Sequence, residues 1–257
     1  MLEGGRIFSD PLALRILGSQ AESAVRDAKA DPSQRAMRLF VAARTRFAED
    51  ALALAVTRGV RQLVVLGAGL DTYAYRAPRE GLRIFEVDHP DTQAWKRACL
   101  EAASIAVPDN LTFAPVNFER DTLAEGLAAA GFDRRQHTFF VWLGVTIYLS
   151  KDAVWSTLGW IGASPNGAHV VFDYGEPADS RSETDRVRLT ERISRAESLG
   201  EPWISFFDPR EMHEKLAGFG FRDVEDLGRR EIAERYFGLS REAPPGGGPH
   251  VLRASTL

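Results

Sequence analysis

The sequence predicts an α/β fold with a mostly parallel, doubly wound sheet, and three observations predict it. Short apolar runs recur along the chain with helix-length stretches between most of them, as when helices return the chain across a parallel sheet. The first of these runs, Leu63 to Leu66, ends in Gly67-Ala68-Gly69. The second, Leu82 to Val87, ends in two carboxylates, Glu86 and Asp88. A βαβ unit places a tight turn and an acid at one sheet edge in this way.

The elements follow in order. Residues 10–58 are rich in Ala, Leu and Arg and lack a long β-branched run, so they read as helix. Asp31-Pro32-Ser33 interrupts them, with Asp31 placed to cap the helix that follows. Residues 1–60 are therefore a helical N-terminal extension. Strands are expected at Leu63–Leu66, Leu82–Val87, Leu111–Phe118, Thr138–Trp142, His169–Phe172, Phe221–Leu227 and Val251–Ala254, seven in all. Thr92–Ser104 and Asp152–Ile161 read as crossover helices. Gly218-Phe219-Gly220-Phe221 and the loop Ala243–Pro249 flank the last two strands, which Glu231–Phe237 connects.

Gly175–Pro202 is densely charged, and the plain reading is a solvated helix face. The sharper one is a lid-like insertion over 175–205, because this stretch leaves the carboxyl end of a central strand, where open α/β sheets bind ligands. At 257 residues with 44% hydrophobic content, a single domain over 1–257 is expected.

The Gly-rich turn and the acid point to adenosine. Glycine lets the backbone turn sharply and approach a ligand with no Cβ in the way, and an acid ending the second strand suits the paired hydroxyls of a ribose. A dinucleotide fingerprint needs a further small residue where this chain has Thr72, and Asp71 would set negative charge beside any pyrophosphate. S-adenosylmethionine (SAM) has the ribose without the phosphate.

Composition excludes other classes. A formal net charge of −4, with no basic run longer than pairs such as Arg134-Arg135 and Arg229-Arg230, offers no field for nucleic acid or an anionic membrane. The single Cys99 excludes an intrachain disulfide, no run is long enough to span a membrane, and Met1–Asp10 lacks a basic n-region with an apolar h-region. A soluble, cytoplasmic protein acting on a small molecule is expected. No His/Cys/Asp spacing suggests a metal, and Ser9, Ser104 and Ser150 lack the Gly-x-Ser-x-Gly context of a hydrolase.

Four ordered segments carry a resemblance: RTRFAED at Arg44–Asp50, LGAGLDTYAYR at Leu66–Arg76, FEVDHPDTQAWK at Phe85–Lys96 and GVTIYL at Gly144–Leu149. With FSDPLA at Phe8–Ala13 and GEPWISFF at Gly200–Phe207, they resemble the leucine carboxyl methyltransferase family, which includes bacterial polyketide O-methyltransferases. The resemblance implies the seven-stranded class I SAM-dependent methyltransferase fold, strand order 3-2-1-4-5-7-6, with the seventh strand antiparallel.

It also implies roles. Arg44 matches the family arginine that meets the methionine carboxylate, with Arg46 the alternative; a planar fork suits that partner. Gly67, Ala68 and Gly69 run beside the methionyl part. Asp88 matches the ribose acid, while Glu86, on the same strand face, is read as tied to a backbone turn. After the third strand the family has Asp followed by Leu or Phe at the adenine; here the pair is Asn117-Phe118, and Asn still accepts through its carbonyl oxygen. At the end of the fourth strand Leu143 replaces a Glu facing the cationic part of the cofactor, a contact worth about 1.5–3 kcal/mol.

A hydroxyl acceptor would benefit from a general base. Of His89, His169, His213, Tyr148 and Tyr174, two have the better placement: His89 follows the ribose acid, and Tyr174, after Asp173, ends the fifth strand at the ligand edge. The reading is a SAM-dependent O-methyltransferase acting on a hydroxyl or carboxylate of a small specialised metabolite. The alternative, favoured by Asn117 and Leu143, keeps the fold but uses its pocket for a cyclisation, a rearrangement or ligand binding. An NAD-dependent oxidoreductase is disfavoured by Thr72.

Overall fold

The computed structural model of the chain describes residues 5–77, 79–117, 120–238 and 247–257. Seven strands form one mostly parallel mixed sheet in the order β3-β2-β1-β4-β5-β7-β6, with β7 antiparallel to both its neighbours, as the family resemblance implies. The chain divides into two compact units, Met1–Phe139 and Phe140–Leu257.

In the first unit, helices α1 (Ala13–Leu17), α2 (Ala21–Ala30) and α3 (Arg35–Thr57) precede β1 (Gln62–Leu66). Asp31 Oδ1 accepts from Ser33 N at 3.1 Å and caps a single 3-10 turn, Pro32–Gln34, that leads into α3. α3 buries Phe40, Ala43, Phe47, Ala48, Leu52 and Ala55, a stripe at helical spacing. β1 is buried throughout, including Gln62. That polar side chain is satisfied: its amide donates to Asp133 O at 2.8 Å and Thr138 Oγ1 at 3.1 Å, and its oxygen accepts from Asp133 N at 3.2 Å.

A one-turn α4 (Tyr73–Arg76) leads to β2 (Arg83–Asp88), α5 (Pro90–Ala102), β3 (Leu111–Pro115) and α6 (Leu123–Ala129). Pro90 occupies the first position of α5, where its missing N–H costs nothing. β3 is shorter than the apolar run suggests. It ends at Pro115, which cannot donate to a ladder, and Val116 N adds one last bond to Asp88 O at 2.9 Å.

β4 (Thr138–Trp142) ends the first unit's sequence and opens the second's, which continues with α7 (Lys151–Gly162), β5 (Ala168–Gly175), α8 (Glu183–Ser198), α9 (Pro209–Gly218), β6 (Asp223–Leu227), α10 (Arg229–Phe237) and β7 (Pro249–Ser255). β5 is buried along all eight residues, and extends past the expected His169–Phe172 because β7 pairs with it from His169 to Gly175. The charged stretch Gly175–Pro202 becomes the end of β5, a 3-10 turn and α8, whose N-cap Ser182 accepts from Asp185 N at 3.2 Å. α8 buries only Leu189. Most of the loop Ala243–Pro249 lies outside the described residues.

Candidate active site

In the first unit the turn and the acid form one hydrogen-bonded element. Gly67 and Gly69 adopt φ of +64° and +39°, values that L side chains rarely take. Gly67 N and Ala68 N both donate to Val87 O, at 2.8 and 3.1 Å, so the turn curls over the end of β2. Asp88 Oδ2 accepts from Gly69 N at 2.6 Å and Oδ1 from His89 N at 2.7 Å. Two backbone donors thus fix a half-buried carboxylate, and each oxygen keeps a further lone pair for a hydroxyl. A Cβ on Gly69 would meet no atom within 4 Å, so the turn's outer side has room for a ligand. These residues fit an adenosine-type cofactor.

Glu86 has a different fate from the backbone tie expected of it. Its side chain is 1% exposed and pairs with Lys96 Nζ at 2.7 Å, itself 1% exposed, while Tyr75 donates to Oε2 at 3.1 Å. Burial pushes the Glu86 carboxyl up to about 7 against the pull of Lys96. It is its backbone oxygen that is held by a side chain, Gln93 Nε2 at 2.8 Å. Of the two acids ending β2, Asp88 alone is available to a ligand.

His89 is exposed and serves as the N-cap of α5, its Nδ1 accepting from Asp91 N at 3.3 Å. Asn117 lies two residues past β3 in a tight loop: its backbone carbonyl accepts from Arg120 N and Asp121 N at 2.9 and 2.7 Å, and its backbone N–H donates to Asp121 Oδ2 at 3.0 Å. Phe118 lies outside the described residues. On α3, Arg44 is half-buried with its guanidinium carbon 5.8 Å from the Phe40 ring centre. Arg46 is exposed and committed to Asp50, Nε lying 2.9 and 2.8 Å from the two oxygens. Arg44 is the more buried of the two.

In the second unit, Leu143 follows β4 and is half-buried. The next residue, Gly144, has φ of +76° and donates to Asp173 Oδ1 at 2.5 Å, while Thr146 Oγ1 donates to Asp173 O at 2.6 Å. Asp173 on β5 thereby clamps the loop that carries Leu143. Tyr174, one residue on, is buried; its hydroxyl donates to Asp226 Oδ2 at 2.6 Å and its ring stacks on His250 with centres 4.8 Å apart. Burial and the Asp226 charge drive the phenol pKa far above its ordinary value. Tyr174 is a proton donor to Asp226 and is unsuited to act as a base.

Tyr174 belongs to a cluster that sequence reasoning missed. His250 Nδ1 lies 2.8 Å from Asp226 Oδ1, and Nε2 2.9 Å from Glu176 Oε1. His213 Nε2 is 2.9 Å from Asp226 Oδ2. Burial pulls the His250 pKa down, but the hydrogen bonds and charges of Asp226 and Glu176 overcome it and hold the imidazole up at about 9. His250, 12% exposed, is a cation between two carboxylates. No local motif announces this, since its members come from β5, the residue after it, α9, β6 and β7. Among the described residues no group of three or more His, Cys, Asp or Glu is arranged to hold a metal ion, and no helix is long and apolar enough to cross a membrane.

Strand order, glycine turn and acid together define a class I SAM-dependent methyltransferase. The sequence pattern of the leucine carboxyl methyltransferase family matches residues 3–162, and the chain belongs to that family. Its relatives include the Bacillus subtilis (strain 168) protein named "Putative S-adenosyl-L-methionine-dependent methyltransferase YktD", 32% identical over 198 residues that span 76% of this chain and 65% of that protein. FRAAL3718 of Frankia alni, with the same description, is 34% identical over 239 residues, 90% of this chain and 80% of its own. Magnesium protoporphyrin IX methyltransferase from Synechocystis PCC 6803, solved with bound SAH, is similar in fold alone: TM-score 0.51 over 96% of this chain and 98% of that one, at 10% identity.

Proposed function

We propose that this protein transfers a methyl group to an oxygen of a small molecule, with a carboxylate the favoured acceptor and a hydroxyl the other. Bound SAM supplies an electrophilic methyl group. In this reading Asp88 accepts from the ribose hydroxyls, Gly67, Ala68 and Gly69 line the methionyl part, Arg44 pairs with its carboxylate and the Asn117 side-chain carbonyl accepts from the adenine amine. The observation that favours a carboxylate acceptor is that both candidate bases are engaged: His89 accepts from the α5 backbone, and Tyr174 donates to Asp226. A carboxylate is already an anion at neutral pH and needs proximity and orientation rather than a base.

Transfer of radiolabelled methyl from SAM to matched carboxylic acids and alcohols tests this. The expected product is an ester whose label is released as methanol by mild alkali. An alkali-stable product would point to the hydroxyl, and absence of transfer to either class would overturn the proposal. Asp88→Ala should weaken SAH binding by about 1.5–3 kcal/mol, roughly ten- to a hundredfold, in a calorimetric titration. Unchanged affinity would remove the ribose assignment.

The second reading, a pocket adapted to another reaction, draws on Leu143. Leu143→Glu should favour cationic SAM over neutral SAH by about tenfold relative to the parent if position 143 faces the sulfonium. Equal weakening of both ligands would mean instead a carboxylate buried without a partner in an apolar site. We also propose that α8 acts as a lid, on the ground that it buries a single side chain, Leu189. Hydrogen exchange over 183–198 should slow when SAH and acceptor are added, and equal exchange in both states would make α8 an ordinary surface helix.

A further inference from the structure

Three of the segments that carry the family resemblance meet at one side chain. Arg76, the last residue of α4, is 9% exposed. Its fork engages both carboxylate oxygens of Glu49 on α3, Nη1 to Oε2 at 3.1 Å and Nη2 to Oε1. Its Nε donates to Thr72 Oγ1 at 3.0 Å and lies 3.8 Å from Asp10 Oδ1. Thr72 Oγ1 donates in turn to Asp10 Oδ2 at 2.6 Å, and Asp10 Oδ1 accepts from Leu12 N and Ala13 N, at 2.8 and 3.1 Å, to start α1. The Phe8 ring covers the guanidinium at 5.0 Å.

This cluster contributes nothing to the chemistry described above, and with Arg76 9% and Glu49 25% exposed it is withdrawn from water far enough to make stability a weak reason for it. An ion pair taken out of water gains little over apolar side chains of the same volume. It does tie together three pieces of backbone. Thr72 follows Gly69 by three residues, Asp10 begins the N-terminal helices, and Glu49 sits on α3 about 7.5 Å along the axis from Arg44. A helix is a rigid rod over that length. Holding Glu49 against Thr72 and Arg76 therefore also sets where Arg44 stands relative to the glycine turn.

We propose that Arg76, with Glu49, Thr72 and Asp10, is a positioning cluster that places Arg44 to meet the amino-acid end of the cofactor at the Gly67–Gly69 turn. The inference rests on the reading of Arg44 as the partner of the methionine carboxylate. It makes docking of the N-terminal helices a condition for binding that end of the cofactor and leaves the nucleoside end, held by Asp88, independent of it.

The two ends can be probed separately, because 5′-methylthioadenosine has the nucleoside and thioether of SAH but no amino-acid carboxylate. The double variant Glu49→Met/Arg76→Met removes both charges at similar volume and leaves neither partner buried alone. By calorimetry it should bind SAH about tenfold more weakly and 5′-methylthioadenosine with the parent's affinity, at an unchanged melting temperature. Arg44→Met should show the same selective loss, and adding it to the double variant should cost little more, since both act on one contact. Thr72→Val, which removes only the bridging hydroxyl, gives the same comparison if the double variant does not fold, with a loss of about threefold for SAH alone. Equal loss of both ligands, or unchanged SAH affinity in the cluster variants while Arg44→Met loses it, would overturn the positioning role. Parental SAH affinity in Arg44→Met would overturn the reading of Arg44 itself.

Discussion

Gly69→Val should abolish SAH binding while the circular dichroism spectrum stays that of the parent. At φ of +39° a β-branched residue is strained, and its Cβ would enter the side of the turn that no protein atom occupies within 4 Å. The backbone can relieve the strain only by rotating Gly69 N away from Asp88 Oδ2, now at 2.6 Å, which also releases the acid from its place. Turn and acid would fail together. Gly69→Ala should lose less, because it keeps the strain without the branching. Parental affinity in Gly69→Val would show that this turn is only a chain reversal and that the cofactor lies elsewhere.

The largest effect on stability is expected at His250. Replacing it with Ala would leave Asp226 and Glu176, 7% and 13% exposed, without their shared cation, a loss of about 3 kcal/mol, a large part of the stability of a marginal domain. The pH dependence follows from the raised pKa. An imidazole at about 9 in the folded protein and 6.5 in the ordinary state contributes stability that is complete below pH 6.5 and is lost as pH rises through 9, about 3 kcal/mol over that span. Asp226 and Glu176 act oppositely. Burial opposes their charge, yet His250 and their other hydrogen bonds hold both below the ordinary carboxylate range, so their contribution is lost as pH falls into the acid range. Tyr174 stays protonated throughout; half-exposed His213 beside Asp226, Asp208 near Tyr174 and Arg181 near Glu176 are further charged or titratable neighbours. Urea midpoints at pH 6 and 9.5 should therefore differ more in the parent than in His250→Gln. The same pH dependence in both would mean that His250 is not the group that titrates.

The acids and histidines show where sequence reading reaches its end. Strand alternation puts Glu86 and Asp88 on one face of β2 and cannot separate them. What separates them is Lys96, which α5 carries to within 2.7 Å of Glu86, and the Gly69 N–H, which the turn presents to Asp88. His89, next after β2, and Tyr174, near the end of β5, have the type and position of a base. Their engagement with Asp91 and with Asp226 appears only once a helix has started and a distant strand has arrived. Asp226, Glu176 and His250 carry no signal in the sequence, because each is an ordinary residue in its own segment.

By itself the sequence determined the order of elements, the strands as apolar runs, the glycine turn, the acid ending the second strand and the family. These depend on local preferences: burial of consecutive apolar side chains, positive φ open to glycine, and the spacing of a βαβ unit. Tertiary structure alone decided that Glu86 is spent on Lys96 and that the Arg76 and His250 cations are each held between carboxylates. Those outcomes depend on strand register and helix docking. Register brings His250 opposite Tyr174 across β5 and β7, and docking brings Glu49 to Arg76, twenty-seven positions further along the chain. A charge taken out of water is tolerable only beside its partner, so its chemistry is settled by residues far from it in the chain.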